Sequence, residues 1–263
     1  MRQPWDDGEH SLSVGLAPVA PEDWLAPDDD TALLAANKQA LDAAVTDGVY
    51  ARLPGTDDAI GEMRYLLAAH VGRPAPEGDA LRAAAQLVPD DLCVLDRRNG
   101  AWVLVAGSLH AAGGWRLGEK LGLPLSGIHA PVPGYDDQLA LRVDRIFDRL
   151  QPGPILARAN WTLHDDATLY LPFGHHGWPA DLTAETALTR IYTRTEHQTL
   201  RKLPRSGAVM FTIRTSVRPL GFWSAPSRRA LAAALRSMHP AIQGYKRIAP
   251  LLPVIEAVAD ACP

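Results

Sequence analysis

Residues 91–107 read DLCVLDRRNGAWVLVAG, and their pattern decides the fold class. Two runs of valine, leucine and other apolar residues flank Asn99-Gly100. An Asn-Gly pair lets both central turn residues take positive φ, which a tight turn between twisted antiparallel strands needs. The stretch therefore predicts a β-hairpin. Cys93 lies inside the first run and reads as a small buried hydrophobe. The chain has two cysteines, Cys93 and Cys262, so there is no disulfide framework and no zinc spacing.

Upstream of the hairpin the apolar period is helical. An arm with Pro4, Pro18, Pro21 and Pro27 is expected to be extended and packed by Trp5, Leu16 and Trp24. Residues 31–45 (TALLAANKQALDAAV), 57–72 (DDAIGEMRYLLAAHVG) and 79–88 (DALRAAAQLV) each predict a helix, with acidic starts and, for the second, a terminal glycine. Downstream, 115–122 predicts a short helix. Residues 125–135 (LSGIHAPVPGY) predict a loop, because Pro131 and Pro133 prevent regular pairing. Residues 136–150 predict a helix with Leu139, Val143, Ile146 and Leu150 on one stripe. Residues 154–166, 167–173, 186–198 and 208–220 predict strands, 174–182 a loop, and 226–238 and 251–262 closing helices. Helices first, an antiparallel sheet next and helices last imply an α+β fold. The 263 residues are expected to form a single domain, with arm and helices over 1–90, the sheet core over 91–220 and helices over 221–263.

Composition is that of an ordinary globular protein, with 47% hydrophobic and 21% charged residues and a net charge of −4. The charge argues against nucleic acid as the main partner. No apolar run approaches the ~20 residues of a membrane span. The polar N-terminus MRQPWDDGEH lacks the apolar core of a signal peptide, so a cytoplasmic location is expected. Gly-rich phosphate loops, G-x-S-x-G, H-E-x-x-H and C-x-x-C are missing.

Three constellations remain. In GIHAPVPGY (127–135) the prolines stiffen the segment that presents His129, as an axial metal ligand requires; a capping or structural histidine is the plainer reading. In ARANWTLHDD (157–166) a strand puts Arg158, Asn160, Thr162 and His164 on one face, towards solvent or an anion-holding cavity. In RTEHQTLRKLPRSGAVMFTIRT (194–215) the alternation puts Arg194 and Glu196 on one face and His197 on the other. That face is either a solvated edge with surface ion pairs or a buried carboxylate able to relay protons. His175-His176 reads as surface loop; with His164 and a carboxylate it would be a non-haem metal site.

GIHAPVPGY, RANW (158–161) and RTEHQTLRKLPRSGAVMFTIRTSVRPL (194–220), together with WRLGEKLG (115–122), resemble the haem-dependent oxidative N-demethylase family; so does the early arm followed by a helix carrying Lys38. The resemblance implies haem b (iron) in a PAS-like antiparallel sheet with helices packed around it. It implies a monooxygenase oxidising a small amine or amino-acid substrate with O2. Electrons would come from an external flavin/iron–sulfur reductase, a redox partner protein, since two cysteines cannot hold a cluster. It makes His129 the axial ligand and Glu196 the distal proton-relaying carboxylate. Propionates favour bidentate arginine partners, for which Arg158, Arg194, Arg205 and Arg214 are candidates. His197 departs from the family pattern, where a basic residue, usually arginine, follows the glutamate. A haem-binding sensor or carrier without turnover is the alternative.

Overall fold

The computed structural model describes residues 3–10, 14–44, 48–135, 139–174 and 177–259. His175, His176 and Cys262 lie outside the described residues. Seven antiparallel strands form one sheet: β1 (Ala17–Val19), β2 (Tyr50–Arg52), β3 (Asp91–Arg98), β4 (Ala101–Ser108), β5 (Ile155–His164), β6 (Tyr192–Lys202) and β7 (Val209–Pro219). Their order across the sheet is β1-β5-β6-β7-β3-β4-β2. The helices are α1 (Thr31–Ala44), α2 (Asp57–Val71), α3 (Ala80–Ala85), α4 (Leu117–Lys120), α5 (Leu125–His129), α6 (Ala140–Arg149), α7 (Ala184–Arg190), α8 (Ala225–Ser237), α9 (Pro240–Tyr245) and α10 (Leu252–Val258). The α+β reading is correct, and no helix among the described residues is long and apolar enough to cross a membrane.

Local chemistry explains most element ends. Asn99 and Gly100 take φ of 51° and 85° in the β3–β4 turn, the left-handed geometry that the hairpin requires. Gly72 ends α2 at φ 68° with its N–H on the Ala68 carbonyl. Asp79 caps α3 by accepting from Leu81 and Arg82 amides.

Three local expectations change. Residues 184–190 are helix rather than the start of a long strand: Thr183 and Thr186 form a reciprocal capping box, and Ala187 and Leu188 are buried beneath it. Leu125–His129 is one helical turn rather than loop, because Pro131 and Pro133 act only after it. Residues 167–173 form no strand. Leu171 makes a single bridge to Gly113, and Pro172 next to it has no amide to extend a ladder.

Register sorts the side chains onto two faces. Arg158 pairs with Gln198, Asn160 with Glu196, and Glu196 with Thr215, so these share a face with Asp91 and Cys93 further across. That face is covered by the segment from Leu109 to Leu150, through Leu117, Leu125 and Phe147 against Cys93, Leu95, Leu200 and Val209. The opposite face carries the two larger cores. Ile60, Met63, Leu67 and Trp24 pack on Leu92, Val94 and Met210. Trp5, Trp161 and Leu163 pack on Leu231, Leu235 and Ile255. Of the three expected arm anchors, Trp5 and Trp24 are buried, Trp24 Nε1 donating to Thr199, and Leu16 packs half-buried against the cluster of Leu95 and Trp102.

Candidate functional site

Glu196 sits mid-strand on β6, between β5 and β7. Its Oε2 accepts from Gln198 Nε2 at 3.0 Å and from Asn160 Nδ2 at 3.5 Å. Its Oε1 lies 3.9 Å from Arg194 Nε. The side chain keeps 16% exposure, so the carboxylate is held on one oxygen and reachable on the other.

Arg194 is 1% exposed. Its terminal nitrogens donate to the carbonyls of Ala111 and Leu169, while Nε has no hydrogen-bond partner. Gly113 lies directly against it: a Cβ there would sit 2.6 Å from Nε. Glycine is required by this close approach. The Ala111 carbonyl is itself fixed by Asp91, whose carboxylate accepts from the amides of His110 and Ala111 at 2.7 and 2.9 Å. Burial pushes the Asp91 carboxyl up to about 6, against the pull of Lys38 and of those two amides. Beside it, burial pushes His110 down to about 4. Its ring spans Ser108 Oγ at 3.2 Å and Asp42 Oδ1 at 3.0 Å.

His129 ends α5, half-buried, with its ring stacked on Tyr135 at 4.5 Å between centroids. Nδ1 donates to the Leu125 carbonyl at 2.8 Å. That bond fixes the tautomer and leaves a lone pair on Nε2, which has no hydrogen-bond partner among the described residues. Burial lowers the pKa of this ring, and the charges of Arg158 and Lys120 add to the effect. A neutral imidazole is the ligand form.

Arg158 lies near enough to His129 and Glu196 for its charge to act on both. It is half-buried, yet its guanidinium makes no hydrogen bond or ion pair among the described residues, and Nε is fully enclosed without an acceptor. Burial lowers its pKa, opposed by Glu196 and Tyr135.

The fold thus gathers Glu196, Arg194, Arg158 and His129 around one face of the sheet. The other two arginines lie elsewhere. Arg205 is in the β6–β7 turn, 77% exposed, where its backbone amide and that of Ser206 donate to Glu62 of α2. Arg214 lies on the opposite face, its two terminal nitrogens taken up by Asp90 at 2.6 Å, Asp28 at 3.2 Å and the carbonyls of Leu25 and Ala26. His197 faces that side too. His164 is buried, and no group of three or more metal-ligating side chains exists among the described residues. Sequence reasoning missed the clamp on Glu196 by Gln198, although position i+2 on a strand shares its face. It also missed Lys246, just beyond α9, whose Nζ donates to the Trp161 carbonyl at 2.6 Å.

Among known families, the model described as haem-dependent oxidative N-demethylase, alpha subunit-like, matches residues 64–255, more than half of the chain.

Proposed function

The chain belongs to the haem-dependent oxidative N-demethylase, alpha subunit-like family, and from that membership we propose that it is a haem-binding oxidoreductase acting on an amine. The reaction is oxidation at nitrogen or at an N-methyl carbon, with O2 as oxidant and electrons from a separate reductase.

The observation that carries the site assignment is the state of His129 and Arg158. The imidazole has its Nδ1 proton committed to a backbone carbonyl and its Nε2 lone pair open, the arrangement by which a proximal histidine is oriented and made more basic. The neighbouring arginine is half-buried, with its Nε enclosed and no partner among the described residues, so a carboxylate would complete it. This donor set fits a haem: His129 would hold the iron and Arg158 a propionate. Arg194 is already spent on two carbonyls and contributes through Glu196 instead.

A bound haem supplies oxygen activation at its iron. The protein's residues supply the rest. Gln198 and Asn160 hold Glu196 Oε2, which leaves Oε1 to take up and release a proton. Arg194 Nε lies 3.9 Å from that oxygen and helps to orient it. Helices α4 to α6 cover the neighbouring part of this face.

The test is an absorption spectrum. Purified protein given haemin is expected to show a Soret band that His129→Ala abolishes or shifts. Glu196→Gln is expected to keep the band and lose amine-dependent O2 consumption. A colourless protein that takes up no haemin would end this reading. A Glu196→Gln variant with unchanged turnover would remove the proton role.

A further inference from the structure

Past Ala17, where β1 begins, the outer edge of β5 carries no paired strand among the described residues, and a polar cleft of about 210 Å³ lies against it. Arg158, Asn160 and Lys246 line one wall. Asp7, Glu9 and His10 of the arm line the other. The volume is below that of a typical cofactor pocket, so it suits one end of a large ligand or the whole of a small one.

Two cations face this cleft with bonding capacity to spare. Arg158 makes no hydrogen bond or ion pair among the described residues, and its Nε is enclosed. Lys246 gives one proton to the Trp161 carbonyl; an ammonium has three. The nearby carboxylate, Glu196, already accepts from Gln198 and Asn160. Half-buried cations without partners cost free energy unless an anion completes them. The buried Lys38 shows the contrast, donating to the carbonyls of Ala85, Val88 and Asp90.

We propose that Arg158 and Lys246 form a carboxylate-binding subsite at the open edge of β5. The carboxylate has two possible sources, a haem propionate or the carboxylate of an amino-acid substrate. The first rests on the proposed function; the second stands without haem. Burial lowers the Lys246 ammonium to about 8, with Glu196 opposing and Arg158 adding. The other charged and titratable groups around it are Asp7, Glu9 and His10 on the arm, Glu196 on β6 and Tyr245 on α9.

The experiment compares probes that differ only in the carboxylate. Haemin is measured against haemin dimethyl ester by Soret titration. N-methylglycine is measured against dimethylamine by calorimetry, on haem-free and haemin-loaded protein. A propionate source gives haemin about tenfold tighter binding than its ester, and Arg158→Gln and Lys246→Gln close that gap while Lys246→Arg preserves it. A substrate source gives the same pattern with N-methylglycine over dimethylamine. The proposal is overturned if neither pair shows a gap, or if the gap survives in both glutamine variants. Should those variants fail to fold, wild type decides. The carboxylate preference must shrink as pH rises past 8, where Lys246 loses its proton; a preference constant from about pH 7 to about pH 9.5 overturns it. Failure to take up haemin sinks the haem reading alone, since calorimetry on the haem-free protein still decides the subsite.

Discussion

Arg214 on β7 and Arg158 on β5 stand two strands apart, and their surroundings are opposites. Arg214 faces the side of the sheet that packs on the arm, where Asp90, Asp28 and two backbone carbonyls take up its terminal nitrogens. Arg158 faces the other side, near the open edge, with no hydrogen-bond or ion-pair partner among the described residues. Lys38 and Lys246 repeat the contrast: one ammonium has three carbonyls, the other has one. A buried cation that the chain itself saturates contributes to stability and can do little else. One that is half-buried and unsaturated is costly in the empty protein, and an anionic ligand removes that cost.

The sharpest way to break this comparison is to truncate the ion-paired member. Arg214→Ala leaves Asp90, 3% exposed, as a buried charge without its partner, and is expected to cost about 3–5 kcal/mol in urea denaturation. A loss under about 1 kcal/mol would show that the pair is not structural. Next, Glu196→Gln is expected to lower turnover at least ~100-fold, the usual scale of a positioned acid–base group, with the Soret band and melting temperature kept. Steady-state kinetics on the haemin-loaded protein checks it.

The Asp91–His110 pair behind Arg194 gives a pH test. His110 has its folded pKa depressed to about 4, so the unfolded chain takes up a proton first and stability falls as pH drops from about 6.5 towards 4. Asp91 has its folded pKa raised to about 6, so the folded chain binds a proton first and stability rises as pH drops from about 6 towards 4. The two slopes oppose, and wild type is expected to change little between pH 6 and 4. His110→Asn removes one slope. Its stability should then rise on acidification, by up to about 2 kcal/mol, in urea melts across that range. A falling curve would contradict the Asp91 assignment.

Gly113→Ala pushes a methyl into the Arg194 guanidinium and is expected to cost about 1–3 kcal/mol, as overpacking does. It should also lower turnover by displacing the cation beside Glu196. The smallest effect on stability is expected for Arg158→Ala, within about 0.5 kcal/mol of wild type or slightly stabilising, because no bond is lost. Haem or carboxylate affinity should fall instead. Destabilisation as large as that of Arg214→Ala would erase the contrast between the two arginines.

Much of this architecture is carried by short-range signals. Asn99-Gly100 needs only its own φ values to turn the chain, and Gly72 and Asp79 act within one helical turn. Period two on β6 alone puts Arg194, Glu196 and Gln198 together, and on β5 it puts Arg158 beside Asn160. The carboxylate and its immediate neighbours were therefore visible in the chain, as was the histidine of the proline-stiffened segment. The capping box at Thr183 is equally local, but the alternating threonines and arginines after it imitate a strand. Only burial of Ala187 and Leu188 separates the two readings.

What the sequence by itself determined is the β3–β4 hairpin, the longer helices and strands, the polar strand face carrying Glu196, and the family motifs around His129. What only the tertiary structure decided is which arginine is available. Arg158, Arg194 and Arg214 have the same side chain and sit in similar strand-like runs, and Arg205 lies in the LPRSG turn between two of them. Pairing register sends Arg214 to the opposite face, the hairpin turn carries Arg205 away, and the Ala111 and Leu169 carbonyls consume Arg194. Lys246 reaches the edge of β5 from a segment 85 positions along the chain from Trp161. A cation's function depends on which acceptors surround it, and those acceptors come from remote segments whose arrangement no local pattern encodes.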